Sequence, residues 1–237
     1  MAYIDGFVLA VPTAKKDEYL NHSASAAPFF KEFGATRQVE AWGDDVPAGK
    51  VTDFQRSVKA RPDETIVFSW LEYPDKTTRD AANKKIMNDP RMKQMGSNMP
   101  FDGKRMIVAG FMPINDSGKA SEMGYLDGIV TPVPMNRKDA YREMADKHAA
   151  ILKEHGATRT VDAWGDDVPD GKVTDYKGAV KAKPDETIVY SWVEWPSKEA
   201  RDRGWELAAE DPRMKGMDLP FDGQRVIYGG FAPMFDQ

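Results

Sequence analysis

The chain has 237 residues, of which 41% are hydrophobic and 30% charged, with a net charge of −5 and a pI near 5.4. That balance describes a globular protein and weighs against nucleic acid and anionic membrane as partners. The absence of cysteine excludes disulfides, thiolate catalysis and Cys-ligated metals, and no apolar run approaches the roughly 18 residues of a membrane span. No basic segment followed by an apolar one opens the sequence, so a cytoplasmic location is expected.

Residues 3–11 are rich in strand formers and end at Pro12. Alternation puts Tyr3, Asp5, Phe7 and Leu9 on one face and Ile4, Gly6, Val8 and Ala10 on the other. A helix is expected over 14–33, capped by Thr13 and closed by Gly34, with a kink where Pro28 interrupts it. Residues 36–42 form the next strand, and 52–59 read as extended. Residues 65–73 are the clearest strand, with Ile66, Phe68, Trp70 and Glu72 on one face. Asp75 caps a helix over 76–88, Asp89-Pro90 opens a short further helix, and 104–112 form a closing strand.

All of this is written twice. Residues 41–53 return as 163–175 with one difference, Ala48 against Asp170, at the offset from Trp42 to Trp164. Further matches extend from Tyr3 against Tyr125 to Asp89-Pro90-Arg91-Met92 against Asp211-Pro212-Arg213-Met214. After Met217 the second copy is two residues shorter, which a surface loop tolerates. The expected division is a repeat over 1–114, a small polar linker over 115–123 and a second repeat over 124–237. Each repeat follows the βαββαβ plan of a ferredoxin-like fold. A sheet needs cover on both apolar faces. The expected architecture is therefore α+β: two ferredoxin-like repeats packed sheet to sheet about a pseudo-twofold axis within one chain, with further homo-oligomerisation left open.

The stretches Asp5-Gly6-Phe7-Val8, Phe30-Lys31-Glu32-Phe33-Gly34-Ala35, Gly49-Lys50-Val51-Thr52-Asp53 and Pro100-Phe101-Asp102-Gly103-Lys104-Arg105-Met106, with their counterparts in the second copy, are distinctive. Through them each half resembles the uncharacterised YbaA-like family. The resemblance implies the dimeric α/β-barrel superfamily, in which two ferredoxin-like units enclose a cleft. That superfamily includes cofactor-independent monooxygenases, haem-handling enzymes and small-lactone isomerases. Fold alone assigns none of these to the chain.

The residues narrow the chemistry only partly. The histidines do not recur: His22 stands against Met144, His148 against Ala26 and His155 against Phe33. His148 and His155 lie roughly 10 Å apart along a helix, too far for one ion. Asp44, Asp45 and Asp53, with Asp166, Asp167 and Asp175, match no cation loop and fit turn structure or a contact surface. No phosphate-cradling glycine motif and no nucleophile elbow occurs. What recurs is an aromatic and acidic set assigned to the barrel cleft. Candidate acid–base residues are Glu72, Glu194, Asp5 and Asp127, since a carboxylate beside tryptophan in a semi-apolar cleft has a raised pKa. Candidate ligand-binding residues are Tyr3, Trp42, Trp70 and Arg105, and their counterparts Tyr125, Trp164, Trp192 and Arg225. The arginines are expected to pair with the cleft carboxylates, whereas Arg79 and Arg201 are expected to meet surface acids. The expected function is to bind or transform a small aromatic or carbonyl compound in the barrel cleft, with no metal and no cofactor. The alternative is a non-catalytic structural or interaction protein, and RNA binding is a distant third.

Overall fold

The computed structural model describes residues 2–119 and 123–237. The first repeat runs β1 (Tyr3–Pro12), α1 (Lys16–Phe33), β2 (Arg37–Asp45), α2 (Phe54–Ser57), β3 (Glu64–Tyr73), α3 (Lys76–Asn88), α4 (Pro90–Ser97) and β4 (Ile107–Gly118). The second runs β5 (Tyr125–Pro134), α5 (Lys138–Glu154), β6 (Arg159–Asp167), α6 (Tyr176–Ala179), β7 (Glu186–Trp195), α7 (Lys198–Glu210), α8 (Pro212–Lys215) and β8 (Ile227–Asp236). Within each repeat the strand order is that of a ferredoxin-like sheet, with β1 between β3 and β4, and β5 between β7 and β8. The two sheets join edge to edge, β2 to β8 and β4 to β6, and close an antiparallel eight-stranded barrel. Closure leaves no unpaired edge to aggregate.

One core fills the barrel and is drawn from both repeats. Ile4, Val8, Val39, Phe68 and Trp70 meet Leu126, Val130, Val161, Tyr190 and Trp192 there. Trp70 stacks on Trp192 at 4.4 Å between centroids, and Phe68 stacks on Tyr190 at 4.4 Å. Two glycines make room for these rings. A Cβ on Gly6 would stand 3.0 Å from the Tyr190 ring, and one on Gly128 would stand 2.6 Å from Phe68. That close approach fixes the phase of β1 and β5, whose two faces are almost equally apolar in sequence. Gly6 and its neighbours Ile4 and Val8 face inward, and Tyr3, Asp5, Phe7 and Leu9 face outward under the helices. The expectation that Tyr3, Asp5 and Trp42 look into the barrel is therefore corrected for all three, and likewise for Tyr125, Asp127 and Trp164.

Three further expectations change. Residues 52–59 are not extended: the Asp53 side chain accepts from the Arg56 N–H and caps α2, as Asp175 caps α6. These short helices plug the barrel mouth. Phe54 meets Phe68 and Phe231 edge-on, and Tyr176 meets Phe111 and Tyr190 in the same way. Asn115, Asp116, Ser117 and Gly118 are not a flexible linker but the end of β4, paired with β6 from Asp162 to Arg159; residues 120–122 of the expected linker lie outside the described residues. Thr13 does not cap α1 through its side chain; a 3-10 turn precedes that helix, which then continues through Pro28.

Candidate functional site

Glu72 and Glu194 point inward at one end of the barrel, beside the stacked tryptophans. Trp70 Nε1 donates to Glu72 at 3.1 Å, and Trp192 Nε1 donates to Glu194 at 3.0 Å. Two arginines, Arg37 and Arg159, lie between the carboxylates. Arg159 Nη1 is 2.9 Å from Glu72 and 3.4 Å from Glu194; Arg37 Nη1 is 2.9 Å from Glu194 and 3.3 Å from Glu72. Each guanidinium also grips a strand-end carboxylate with two nitrogens, Asp236 for Arg37 and Asp116 for Arg159. Burial is the largest single influence on the Glu72 carboxyl and pushes it up, but the hydrogen bonds and charge of Arg159, with Trp70 and Arg37, together outweigh it and the net shift is down. The arrangement is a paired, hydrogen-bonded network, the form in which buried charge is tolerated.

Arg105 and Arg225 do not join that network. Each makes a bidentate pair at the opposite end of the strands, Arg105 with Glu64 and Arg225 with Glu186, and each also binds a loop carbonyl. Arg79 and Arg201 meet surface acids as expected, Asp80 and Asp167 for Arg79 and Asp45 and Asp202 for Arg201, but each also reaches a buried one. Arg79 Nε donates to Asp5 at 2.7 Å, and Arg201 Nε donates to Asp127 at 2.8 Å. Trp42 and Trp164 lie beneath the first helix of each repeat, where Lys16 and Lys138 stand over their rings.

The chemistry-bearing hollow lies on the outer face of the first repeat's sheet, under α1, α3 and α4. It has a volume of ≈ 400 Å³, within the roughly 300–1,000 Å³ of small-molecule sites. Its floor is Asp5, Gln38, Glu40 and Ser69 from the sheet, and its walls include Tyr19, His22 and Ser23 of α1 and Asn83 of α3. Met92, Met95, Met99, Met106, Phe7 and Phe101 belong to the apolar lining, and no lysine or arginine lines it. Glu40 accepts from Tyr19 Oη at 2.7 Å and from Gln38 Nε2 at 2.9 Å. Gln38 Oε1 is buried and has no partner.

Electrostatics in this hollow favour neutral forms. Burial pushes Asp5 up to about 6, although Arg79 pulls the other way. Burial also raises Glu40 and Tyr19 and lowers His22. Low dielectric penalises charge of either sign, which accounts for all four directions. A carboxyl that titrates near 6 can take and return a proton near neutral pH.

The equivalent floor of the second repeat is covered. Trp205 stands where the first repeat has Asn83, and its Nε1 donates to Asp127 at 2.7 Å; Trp195, which replaces Tyr73, donates to the same oxygen at 2.9 Å. His148, in place of Ala26, packs on Trp205 at 5.8 Å. A larger hollow of ≈ 570 Å³ does lie on this repeat, between α5 and the segment after α8. It reaches neither Asp127 nor Asp162, and Arg137, Lys147 and Arg213 rim it. Size alone is thus a poor guide, and the smaller hollow over Asp5 and Glu40 is the candidate site. No group of three or more His, Asp or Glu side chains among the described residues could hold a metal, and no described helix is long and apolar enough to cross a membrane.

The model of a family described as a protein of unknown function, DUF1428, matches residues 2–103 and again 124–223. The chain belongs to that family, as two copies of its unit. An uncharacterised Escherichia coli K12 protein, YbaA, is 64% identical over 116 residues, covering 49% of this chain and 99% of the relative. Among solved structures, a putative monooxygenase from Fusobacterium nucleatum aligns over 100% of this chain and 94% of its own with a TM-score of 0.60 at 9% identity. An anthrone oxidase-like protein aligns over 100% and 92% with a TM-score of 0.60 at 11% identity. At such identities the likeness is one of fold, and the fold is that of the dimeric α/β-barrel proteins.

Sequence reasoning named Asp5 but placed it inside the barrel, and it missed the rest of this hollow because it required a shared site to recur in both repeats. His22 and Asn83 have no equivalents. The signal that was present is a size difference at aligned helix positions: Ala26 against His148, and Asn83 against Trp205.

Proposed function

We propose that the chain binds a small, uncharged, mainly apolar molecule in the first repeat's outer hollow and acts on it by proton transfer. The observation that carries this reading is a ligand-sized apolar hollow with two buried carboxyl groups, Asp5 and Glu40, on its floor and no cation in its lining. An anionic ligand would meet two carboxyl groups and no cation of the lining, since Arg79 is already committed to Asp5, Asp80 and Asp167. Gln38 Oε1 lacks a hydrogen-bond donor, which a phenolic hydroxyl or an enol would supply. Methionine walls adapt to the shape of an aromatic guest. Asp5 is assigned the acid–base role, with Glu40 and Tyr19 orienting the polar edge of the ligand. The substrate class is therefore an aromatic or carbonyl compound with an ionisable O–H or C–H. Because two structural neighbours are named as a putative monooxygenase and an anthrone oxidase-like protein, reaction of such compounds with oxygen is the first activity to assay.

The barrel interior is assigned a structural part. Its stacked rings and arginine–glutamate network support holding the two repeats together as the single-chain counterpart of a twofold dimer. In this reading Glu72, Glu194, Trp70 and Trp192 secure the fold and do no chemistry.

Native mass spectrometry of freshly purified protein, alongside Asn83→Trp, tests the site. The parent is expected to retain or take up an uncharged aromatic molecule that the variant loses. Equal retention by both proteins would move the site elsewhere.

A further inference from the structure

The repeated loop that ends β2 and β6 is not used by the reading above, yet it touches the site. Asp167, the last residue of β6, belongs to the second repeat. Its backbone pairs with Gly110 of β4, so strand pairing across the repeat boundary holds it in place. Its carboxylate accepts from Arg79 Nη1 at 2.7 Å, while Arg79 Nε donates to Asp5 at 2.7 Å. Arg79 is only 7% exposed. Next to this bridge, Tyr3 Oη donates to Asp166 at 2.9 Å, and Lys76 lies 3.2 Å from the same carboxylate.

We propose that Asp167 is a positioning residue for the first-repeat site: it holds Arg79, and through Arg79 it fixes the Asp5 carboxyl, so that the site is complete only with both repeats present. This rests on the reading of the hollow as the functional site. One guanidinium serves three carboxylates, because Asp80 also lies 3.0 Å from Arg79 Nη1. Shared in this way, Arg79 cannot neutralise Asp5 alone, and the nearby Asp167 charge opposes ionisation of Asp5. The other groups facing Asp5 are Tyr73 of β3, Asn83 of α3 and, across the sheet, Tyr176 of α6. None of them supplies another cation.

The mirror-image contact provides a matched control. Arg201 Nη1 lies 3.0 Å from Asp45, and Arg201 binds Asp127 under Trp205, where the floor is covered. Asp167→Asn and Asp45→Asn thus remove the same kind of latch from opposite repeats. The Asp5 carboxyl carbon, followed by NMR in the full chain, is expected to titrate near 6 in the parent. Asp167→Asn should lower that midpoint toward the ordinary carboxylate value, and Asp45→Asn should leave it in place. A latch that serves stability alone would cost both variants similar stability and move neither midpoint. An unchanged midpoint in Asp167→Asn, or an equal shift in both variants, overturns the proposal. Failure to find any ligand would sink the proposed function but would leave the titration result standing.

Discussion

The inner and outer layers of the two repeats tell different stories. Inside the barrel, the first repeat's Trp70, Glu72 and Arg37 are answered by Trp192, Glu194 and Arg159, in the same contacts and at nearly the same distances. Outside it, the two floors diverge. Over the first repeat, Asn83 and Ala26 leave Asp5 and Glu40 under an open hollow; over the second, Trp205 and His148 close it. The inner layer is one object built by both halves, so a change in either half damages the whole. The outer layers are separate, and one can be closed without cost to the other. Duplication here preserves the shared barrel and frees one outer face.

The largest expected effects lie where the repeats agree. Trp70→Ala and Trp192→Ala should each cost about 3–5 kcal/mol in urea unfolding, and by similar amounts, because each removes half of one buried stack. A clear inequality would break the inner symmetry. Arg37→Ala or Arg159→Ala should cost about 3 kcal/mol by the same measurement, since each leaves buried carboxylates short of a partner. The double variant should cost more than the sum, because either arginine alone still reaches both Glu72 and Glu194 and only the double variant leaves both carboxylates without a cation.

Smaller effects are expected where the repeats differ. Trp205→Asn gives the second repeat the first repeat's residue. It should cost about 2 kcal/mol through lost packing, and it should create a second uptake site for an apolar dye. Dye stoichiometry unchanged from the parent would mean that other residues keep that floor closed. The smallest effect is acid sensitivity at the barrel end. Glu72 has a lowered pKa in the folded state, so its contribution is present above the ordinary value of 4.5 and is lost as pH falls through the lowered value. The stability advantage of the parent over Glu72→Gln should therefore shrink as pH drops below 4.5. A gap independent of pH would remove the ion pair from the account.

The duplication and most of the strand–helix order were legible in the sequence because they rest on long repeated patterns, whereas the barrel was expected from the family resemblance. The phase of β1 was not. Tyr3, Phe7 and Leu9 are as apolar as Ile4, Val8 and Ala10, and only the rings of the other repeat, pressed against Gly6 and Gly128, decide between the faces. The α2 helix was hidden because a single aspartate cap, Asp53, turns four residues of an otherwise strand-like segment. Glu72 and Glu194 were found as inward carboxylates, but their partners Arg37 and Arg159 were overlooked at the start of a strand. The hollow itself follows from the bulky side chains that the first repeat lacks and the second has, a difference that a search for recurring residues discards.

The central claim is that the first repeat holds an open site and the second a closed one. Methionine-methyl NMR during titration with a neutral phenol tests it directly, with benzoate as the charged comparison. The account predicts that Met92, Met95, Met99 and Met106 shift with phenol, that Met214 and Met217 stay in place, that benzoate at the same concentration moves neither set, and that Asn83→Trp abolishes the response. Equal shifts in both repeats, a stronger response to benzoate, or a full response in Asn83→Trp would contradict it.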